Sequence, residues 1–264
     1  MRIALIQGKI FWEQPEKNLK YFSGLMKKVS PGVQMVVLPE AFTTGFTMNV
    51  KKLSRLASFP IEEWLADKAL EINKIIVAGA FVQEQGKFYN RMFWVEPNGT
   101  VYHYNKRHLF TYSGENRIFT PGNRQVIVQK QEFKFHLQIC YDLRFPVWNA
   151  NRYDRRTDAY AYDVLLYIAH WPARRKNAYL PLLRARAIEN QAYVLWVNRV
   201  GRDGSRHVYS GDTRIIHPSG QVLALVKSHN EGILEYDLSY KELQKYRENF
   251  PVGPDWDDFR IIID

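Results

Sequence analysis

The sequence predicts an α/β fold in which two β-sheets stack under outer layers of helices. Short apolar runs rich in Val, Ile and Tyr alternate with longer amphipathic stretches, a pattern typical of buried strands joined by helices. Beyond residue 212 the pattern changes to hairpin-like β structure. A chain of 264 residues is long enough for one large core, so we expect residues 1–264 to form a single domain.

The first half of the chain contains predicted strands and helices in alternation. Apolar runs with high β propensity predict strands at residues 3–7, 35–39, 75–83, 91–96, 126–129 and 134–140. Apolar residues spaced by about 3.6 positions predict helices at residues 15–29 and 61–73.

The second half repeats this alternation and then becomes antiparallel. It contains a predicted strand, helix and strand at residues 164–169, 174–191 and 192–198. A Pro-Ser-Gly-Gln turn then separates two strands of a predicted hairpin, at residues 212–217 and 222–226. Residues 246–264 are expected to form an extended tail. Its apolar residues indicate that it docks on its own domain or on a second subunit.

Composition and charge argue against several classes of protein. No apolar run approaches the ~20 residues that span a bilayer, and the first residues read as a strand instead of a signal peptide. Cys140 is the single cysteine, so no internal disulfide can form and we expect a cytoplasmic protein. The net charge of +10 fits a nucleic-acid binder, an acidic small substrate or a basic surface. Because the basic residues are spread along the chain, we rank nucleic-acid binding last.

Cys140 is a candidate nucleophile because it stands where an apolar strand ends. The segment after it can turn into a helix, whose N-terminal N–H groups would stabilise a thiolate or an oxyanion. The alternative is a buried structural cysteine, since free cysteine is among the most buried residue types.

Three further charged residues occupy positions where a merely solubilising charge is not expected. Glu40 directly follows an apolar strand, where burial would suit its carboxylate to proton transfer. Lys106 lies among aromatic and apolar residues and is a candidate for oxyanion stabilisation. Glu115 lies in the loop that follows, before a Pro-Gly turn. Taken singly, each has an ordinary alternative as a strand-end acid or a surface charge.

The ordered set of these residues resembles the nitrilase superfamily of carbon–nitrogen hydrolases. The matching segments are Leu38-Pro39-Glu40, Asn105-Lys106-Arg107-His108-Leu109, Glu115 seven residues before Gly122, Ile139-Cys140-Tyr141-Asp142-Leu143-Arg144-Phe145-Pro146, Tyr209-Ser210-Gly211-Asp212 and Ile216-His217-Pro218-Ser219-Gly220. The resemblance implies a four-layer α-β-β-α sandwich, a homodimer, and neither a metal nor an organic cofactor.

The resemblance also implies a mechanism that agrees with the chemistry of the residues. The thiolate of Cys140 would attack an amide carbonyl, with Glu40 as general base and later as general acid. Lys106 and the backbone N–H of Tyr141 would hold the tetrahedral oxyanion, each donor being typically worth about 2.7 to 4 kcal/mol. Glu115 would position Lys106 or the incoming groups.

Within the family, the segments around Glu40, Cys140 and Ser210 are similar to the omega-amidase branch. That branch hydrolyses 2-oxoglutaramate and 2-oxosuccinamate, small amides that carry a carboxylate remote from the scissile bond. Arg144 or Arg174 would bind this carboxylate, although either could equally form a structural salt bridge. Trp171 would form an apolar wall of the pocket. The partner implied is therefore a small-molecule amide, with no nucleic acid and no membrane.

Several alternatives stay open from the sequence alone. A serine hydrolase is weaker, because no Gly-X-Ser-X-Gly elbow surrounds Ser113 or Ser210. Another nitrilase-superfamily activity, on an N-carbamoyl amino acid, an aliphatic amide or a nitrile, is a second alternative. A catalytically silent binding module is a third, which the loss of one of the four site residues would favour.

Overall fold

The computed structural model describes residues 1–263, with residues 50 and 51 described by their backbone alone. Asp264, the end of the predicted tail, lies outside the described residues. Within them the α-helices are α1 (Pro15–Met26), α2 (Val50–Ala57), α3 (Ile61–Ile72), α4 (Pro146–Asn149), α5 (Lys176–Glu189) and α6 (Tyr240–Asn249). The strands are β1 (Arg2–Gln7), β2 (Met35–Val37), β3 (Ile75–Glu84), β4 (Lys87–Val95), β5 (Val101–Asn105), β6 (Ile127–Lys130), β7 (Phe133–Ile139), β8 (Tyr153–Asp154), β9 (Ala159–Tyr160), β10 (Val164–Ala169), β11 (Tyr193–Asn198), β12 (Val200–Arg202), β13 (Val208–Ser210), β14 (Arg214–Ile216), β15 (Val222–Leu225) and β16 (Gly232–Asp237).

Two six-stranded sheets of related topology form the framework of the molecule. The first has the strand order β16-β1-β2-β3-β4-β5, and the second has the order β15-β14-β11-β10-β7-β6. In the first sheet β1, β2 and β3 are parallel, and in the second β7, β10 and β11 are parallel. Antiparallel strands flank each parallel centre. The loops that follow the parallel strands of a sheet therefore gather at one edge, where α/β folds place their ligand sites.

Alternate side chains of the central strands face two different layers. In β1, Ile3 and Leu5 pack into the core between the two sheets, whereas Ala4 and Ile6 pack into the layer that contains α1 and α3. This division follows from the period of two along a strand. Helix α5 covers the second sheet with buried side chains that include Leu183. The predicted α-β-β-α sandwich is confirmed.

The predicted elements agree closely with those observed, and most elements that were not predicted are short or lie at the edge of a sheet. Every predicted strand and helix has a counterpart whose ends differ by at most a few residues. The prediction missed α2, α4 and α6, the edge strands β5 and β16, and the two short hairpins β8–β9 and β12–β13. Among the helices of residues 1–263, none combines the length and the apolar character that crossing a bilayer requires.

The prediction that the segment 246–264 is extended from its start is wrong. Residues 246–249 form the last turn of α6. This helix begins after Ser239, whose hydroxyl accepts a hydrogen bond from the backbone N–H of Glu242 at 3.2 Å, an N-cap that offsets its short length. Only beyond α6 does the chain become irregular.

The rest of the tail packs on its own chain. The Arg155 guanidinium donates a hydrogen bond to the carbonyl oxygen of Trp256 at 2.5 Å. The indole of Trp256 packs edge-on against Tyr160 of β9, with ring centroids 5.5 Å apart. Ile261 and Ile263 are half-buried against the hydrophobic core that surrounds the second sheet.

Candidate active site

Cys140 stands at a sharp turn between β7 and a single 3₁₀ turn, Cys140–Arg144. Its backbone φ is +46°, a left-handed conformation that costs a non-glycine residue on the order of 1–3 kcal/mol. The side chain is only 8% exposed, yet it lines a large cavity. The strained turn thus presents the thiol to this cavity, the placement that a nucleophile requires.

Asp142 connects the Cys140 turn to the segment that carries Lys106. One carboxylate oxygen of Asp142 accepts a hydrogen bond from the hydroxyl of Tyr104 at 2.7 Å. The other accepts from the backbone N–H of His108 at 3.0 Å. Because Tyr104 and His108 flank Lys106 in the chain, this buried carboxylate fixes the thiol and the amine relative to each other.

Glu40, Lys106 and Glu115 form one buried cluster beside the thiol. The Lys106 Nζ lies 3.0 Å from Glu40 Oε1, and 3.1 and 3.0 Å from the two carboxylate oxygens of Glu115. The backbone N–H of Phe110 donates to Glu115 Oε2 at 2.6 Å. All three charged side chains are at most 1% exposed. The structure therefore brings together three residues that are up to 75 positions apart in the sequence.

Gly79 in β3 makes room for the turn that carries Glu40. A Cβ atom at Gly79 would lie 2.9 Å from the Glu40 Cα and 2.4 Å from the Ile168 Cδ1, both closer than van der Waals contact allows. The carbonyl of Gly79 accepts the backbone N–H of Phe42 at 2.9 Å, which closes this turn onto the strand. A glycine is therefore required here by close approach of the backbone.

Asn90 is a member of the cluster that the sequence analysis missed. Its side-chain Nδ2 donates to Glu40 Oε1 at 2.7 Å and to Glu115 Oε1 at 2.9 Å. It lies in the middle of β4 and is fully buried. The sequence does place a polar Asn90 close to the apolar residues of a predicted strand. An amide that is buried in such a strand needs polar partners, and this could have indicated its role.

Burial and mutual charge shift the pKa values of the cluster. Burial by itself lowers the pKa of Lys106, but the carboxylates of Glu115 and Glu40 outweigh it and raise that pKa above its usual value. Burial raises the pKa of Glu115, and the charge of Glu40 adds to this against the opposing effect of Lys106. Burial and the charge of Glu40 also raise the pKa of the Cys140 thiol well above its usual range, although Lys106 opposes them. The thiol therefore needs a base to become a nucleophile.

The cavity above the thiol has a volume of about 990 Å³. Lys106 and Cys140 line it, and Glu40 and Glu115 lie in the buried cluster that Lys106 joins. The four predicted substrate-binding residues also line it: Tyr141, Arg144, Trp171 and Arg174. The Arg144 guanidinium lies 5.3 Å from the Trp171 ring centre, a cation–π distance that orients it.

Arg175 is a third arginine of the cavity wall, and the sequence analysis treated it only as part of a helix start. Its guanidinium lies 4.9 Å from the Phe110 ring centre and 5.2 Å from that of Tyr112. Burial, together with the charges of Arg174 and Arg144, lowers the pKa of Arg175. Among the described residues, no carboxylate oxygen lies within 4.0 Å of any of these three guanidiniums. This wall therefore presents positive charge to a bound molecule.

The sequence matches the carbon-nitrogen hydrolase family over residues 2–248. Omega-amidase YafV of Escherichia coli K12 is 40% identical over 99% of this chain and 98% of its own. The 2-oxoglutaramate amidase of Bacillus subtilis 168 is 32% identical over 98% of this chain and 97% of its own.

Solved structures show the same fold over nearly the whole chain. XC1258 from Xanthomonas campestris, a CN-hydrolase superfamily protein with an arsenic adduct in its active site, is 33% identical and superposes with a TM-score of 0.94. The match covers 99% of this chain and 98% of XC1258. Nit3 of Saccharomyces cerevisiae, at 23% identity, shares the fold with a TM-score of 0.82 over 96% of this chain and 94% of Nit3.

Proposed function

This chain belongs to the carbon–nitrogen hydrolase family and is a hydrolase of carbon–nitrogen bonds other than peptide bonds, and from that premise we propose that it is an omega-amidase. It converts the terminal amide of a small omega-amido 2-oxo acid, such as 2-oxoglutaramate or 2-oxosuccinamate, to the dicarboxylic acid and ammonia. The observation that carries the proposal is the full-length likeness to omega-amidases, at 40% identity over 99% of the chain for YafV. The geometry of the cavity supports it in three respects.

The first is the arrangement of the acylation groups. Cys140 Sγ attacks the amide carbonyl while its proton passes to Glu40, and the carbonyl electrons move onto the oxygen. Glu40 Oε2 has no hydrogen-bond partner among the described residues, which leaves this oxygen available to accept the proton. Collapse of the tetrahedral intermediate breaks the carbon–nitrogen bond, and Glu40 returns the proton to the departing ammonia. A thioester on Cys140 remains.

The second is the presence of donors for the oxyanion. Lys106 and Tyr141 line the same cavity as Cys140. In this mechanism the Lys106 ammonium and the backbone N–H of Tyr141 hold the negative oxygen in both tetrahedral intermediates. In deacylation, Glu40 takes a proton from water as the water oxygen attacks the thioester carbonyl. The carbon–sulfur bond then breaks, the acid product leaves, and the proton on Glu40 restores the thiol.

The third is the positive wall of the cavity. The proposed substrate carries a carboxylate at the end remote from the scissile amide, and Arg144, Arg174 and Arg175 line the cavity that contains the thiol. A guanidinium binds a carboxylate through two parallel hydrogen bonds. Arg144 and Arg175 are the stronger candidates because aromatic rings orient both of them. Trp171 supplies an apolar surface for the methylene chain of the substrate.

Ammonia release tests the proposal directly. The purified enzyme is given 2-oxoglutaramate, 2-oxosuccinamate, glutamine, asparagine, an aliphatic nitrile and an N-carbamoyl amino acid in parallel, with the Cys140→Ala variant as the blank. We expect the two oxo-amides to be hydrolysed far faster than the others. Equal or greater release from glutamine or from the carbamoyl compound would exclude the omega-amidase assignment while leaving the hydrolase chemistry in place.

We further propose that the enzyme acts in the cytoplasm as a homodimer, without a nucleic-acid or membrane partner. Val147 on α4 and Ile188 on α5 support the dimer, since they are 59% and 48% exposed on the helical layer of the second sheet. Sedimentation velocity of the wild type and of Ile188→Glu tests it. We expect a dimer for the first and a shift toward monomer for the second, and a monomeric wild type would exclude it.

A further inference from the structure

Asn90 makes three hydrogen bonds in the active-site cluster, one to the backbone of Lys106 and two to the carboxylates that the Lys106 amine contacts. Its side-chain Nδ2 donates to Glu40 Oε1 and Glu115 Oε1, at 2.7 and 2.9 Å. Its backbone carbonyl accepts the N–H of Lys106 at 2.8 Å. A single residue of β4 thus holds the main chain of the lysine and the two carboxylates that its amine contacts.

All the N–H donors of the Lys106 ammonium group are already hydrogen-bonded in this arrangement. An ammonium group has three N–H donors, and Nζ already has three carboxylate oxygens within 3.1 Å. To donate a hydrogen bond to an oxyanion, Lys106 must first break its hydrogen bond to Glu40 Oε1 or to one oxygen of Glu115. A buried carboxylate that loses a donor without replacement is destabilised, which would oppose this redirection.

The donors of Asn90 duplicate those of Lys106. Glu40 Oε1 and Glu115 Oε1 each accept from both Asn90 Nδ2 and Lys106 Nζ. Both N–H groups of the amide are therefore committed to carboxylates, while Asn90 Oδ1 has no hydrogen-bond partner among the described residues. The reverse orientation of the amide would place Oδ1 against two carboxylate oxygens, so the donor orientation is the one that electrostatics requires.

We propose that Asn90 is a positioning residue that keeps Glu40 and Glu115 hydrogen-bonded while Lys106 turns an N–H toward the oxyanion. It acts through Lys106 and does not touch the substrate. This inference rests on the proposed mechanism, in which Lys106 is an oxyanion donor.

Asn90 also favours the charged form of Glu115. The titratable groups that face the cluster are Glu40, Lys106, Glu115, Cys140 and His170, from the segments after β2, β5, β7 and β10. Among them two carboxylates share one ammonium group, so their charges repel across a buried space. The hydrogen bond from Asn90 opposes the rise in the pKa of Glu115. Without it, the Glu115 carboxyl retains its proton to higher pH.

The test is the pH dependence of amide hydrolysis by Asn90→Leu and by the isosteric Asn90→Asp, measured as kcat and KM separately. Loss of one oxyanion donor typically lowers kcat about 10²- to 10³-fold. Because Asn90 supports such a donor, we expect kcat about 10- to 100-fold lower, a KM within about threefold of wild type, and an acid limb moved to higher pH. Asn151→Leu is the matched control, since Asn151 is also buried and hydrogen-bonded, but to Asn190 and Tyr162 outside the cluster.

The outcomes separate this inference from the proposed function. A wild type that does not hydrolyse 2-oxoglutaramate contradicts the proposed function, and the comparison then uses whichever amide it does hydrolyse. If Asn90→Asp is folded and both its kcat and its acid limb match those of the wild type, the positioning role is excluded. A rise in KM alone also excludes it. Should Asn90→Leu fail to fold, Asn90→Ala, which removes the amide without adding a charge, is measured in its place.

Discussion

Lys106 Nζ contacts both carboxylate oxygens of Glu115, at 3.1 and 3.0 Å, in a pair of side chains that are at most 1% exposed. Glu115 is itself fixed by the backbone N–H of Phe110. This bidentate contact is what holds the lysine amine beside the thiol, because the aliphatic stem of a lysine is flexible and does not by itself define one position.

Glu115→Gln is therefore expected to lower kcat at least about tenfold while the protein stays folded. The amide keeps the shape of the carboxylate but loses its charge, so the lysine amine is held less tightly where the oxyanion forms. Steady-state hydrolysis and a thermal melt measure the two quantities. Glu96→Gln is the matched control, because Glu96 also pairs with a lysine, Lys130, at 2.6 Å. An equal loss of kcat in both variants would contradict a specific role for Glu115.

Cys140→Ala is expected to abolish turnover without changing the melting temperature by more than a few degrees. The thiol forms the thioester, and no other cysteine is present to replace it. Ammonia release and circular dichroism measure the two properties. Retained turnover in this variant would overturn the mechanism.

Glu40→Gln is expected to separate thiol reactivity from catalysis. The charge of Glu40 contributes to the raised pKa of the Cys140 thiol, so its removal lowers that pKa and increases the thiolate fraction at neutral pH. Alkylation of Cys140 by iodoacetamide, followed by mass spectrometry between pH 6 and 9, should be faster than in the wild type. Hydrolysis should nevertheless be lost, because the proton acceptor is gone. Slower alkylation at every pH would contradict the assigned electrostatics.

The arginines of the cavity should control affinity for the substrate carboxylate. Arg144→Ala and Arg175→Ala are expected to raise KM for 2-oxoglutaramate by about tenfold or more. Arg174→Ala is expected to have a smaller effect, since among the described residues no aromatic ring stacks on its guanidinium. Hydrolysis of an uncharged amide such as butyramide should change little in any of them. Arg156→Ala, outside this cavity, is the control. An equal loss on both substrates would indicate a structural role instead.

Asp212 should make stability depend on acid pH. Burial by itself raises the pKa of the Asp212 carboxyl, but hydrogen bonds to the carboxylate outweigh it and lower this pKa to about 2. The donors are Lys176, Ser210, Ser228 and Tyr179. A folded-state pKa below the unfolded value stabilises the fold above pH ~4, and this contribution is lost as the pH falls toward 2.

Urea unfolding at pH 7, 4 and 2.5 measures this contribution. We expect Asp212→Asn to cost about 1–2 kcal/mol at pH 7 and to reduce the loss of stability that the wild type shows between pH 4 and 2.5. The same acid sensitivity in both proteins would assign the effect to other carboxylates.

The strand-end positions of Glu40 and Cys140 were predictable because they are local properties of the sequence. A short run of apolar residues, continuous before Glu40 and alternating with polar residues before Cys140, marks each strand, and the candidate residue directly follows its end. Helix α6 was missed because its N-cap, Ser239, lies upstream of the segment 246–264, and Pro251 and Gly253 within that segment favour irregular structure.

The sequence by itself determined the alternation of elements, the layered α/β class and the four residue types that carry the chemistry, since each depends on neighbours along the chain. Only the tertiary structure decided that Asn90 lies between two carboxylates and that Arg175 faces the thiol cavity. Asn90 reaches Glu40 across 50 residues and Glu115 across 25. Such contacts depend on how β2, β4 and the loop after β5 pack together. The physical reason is that strand periodicity is set by local backbone geometry, whereas the partners of a buried polar group are set by long-range packing.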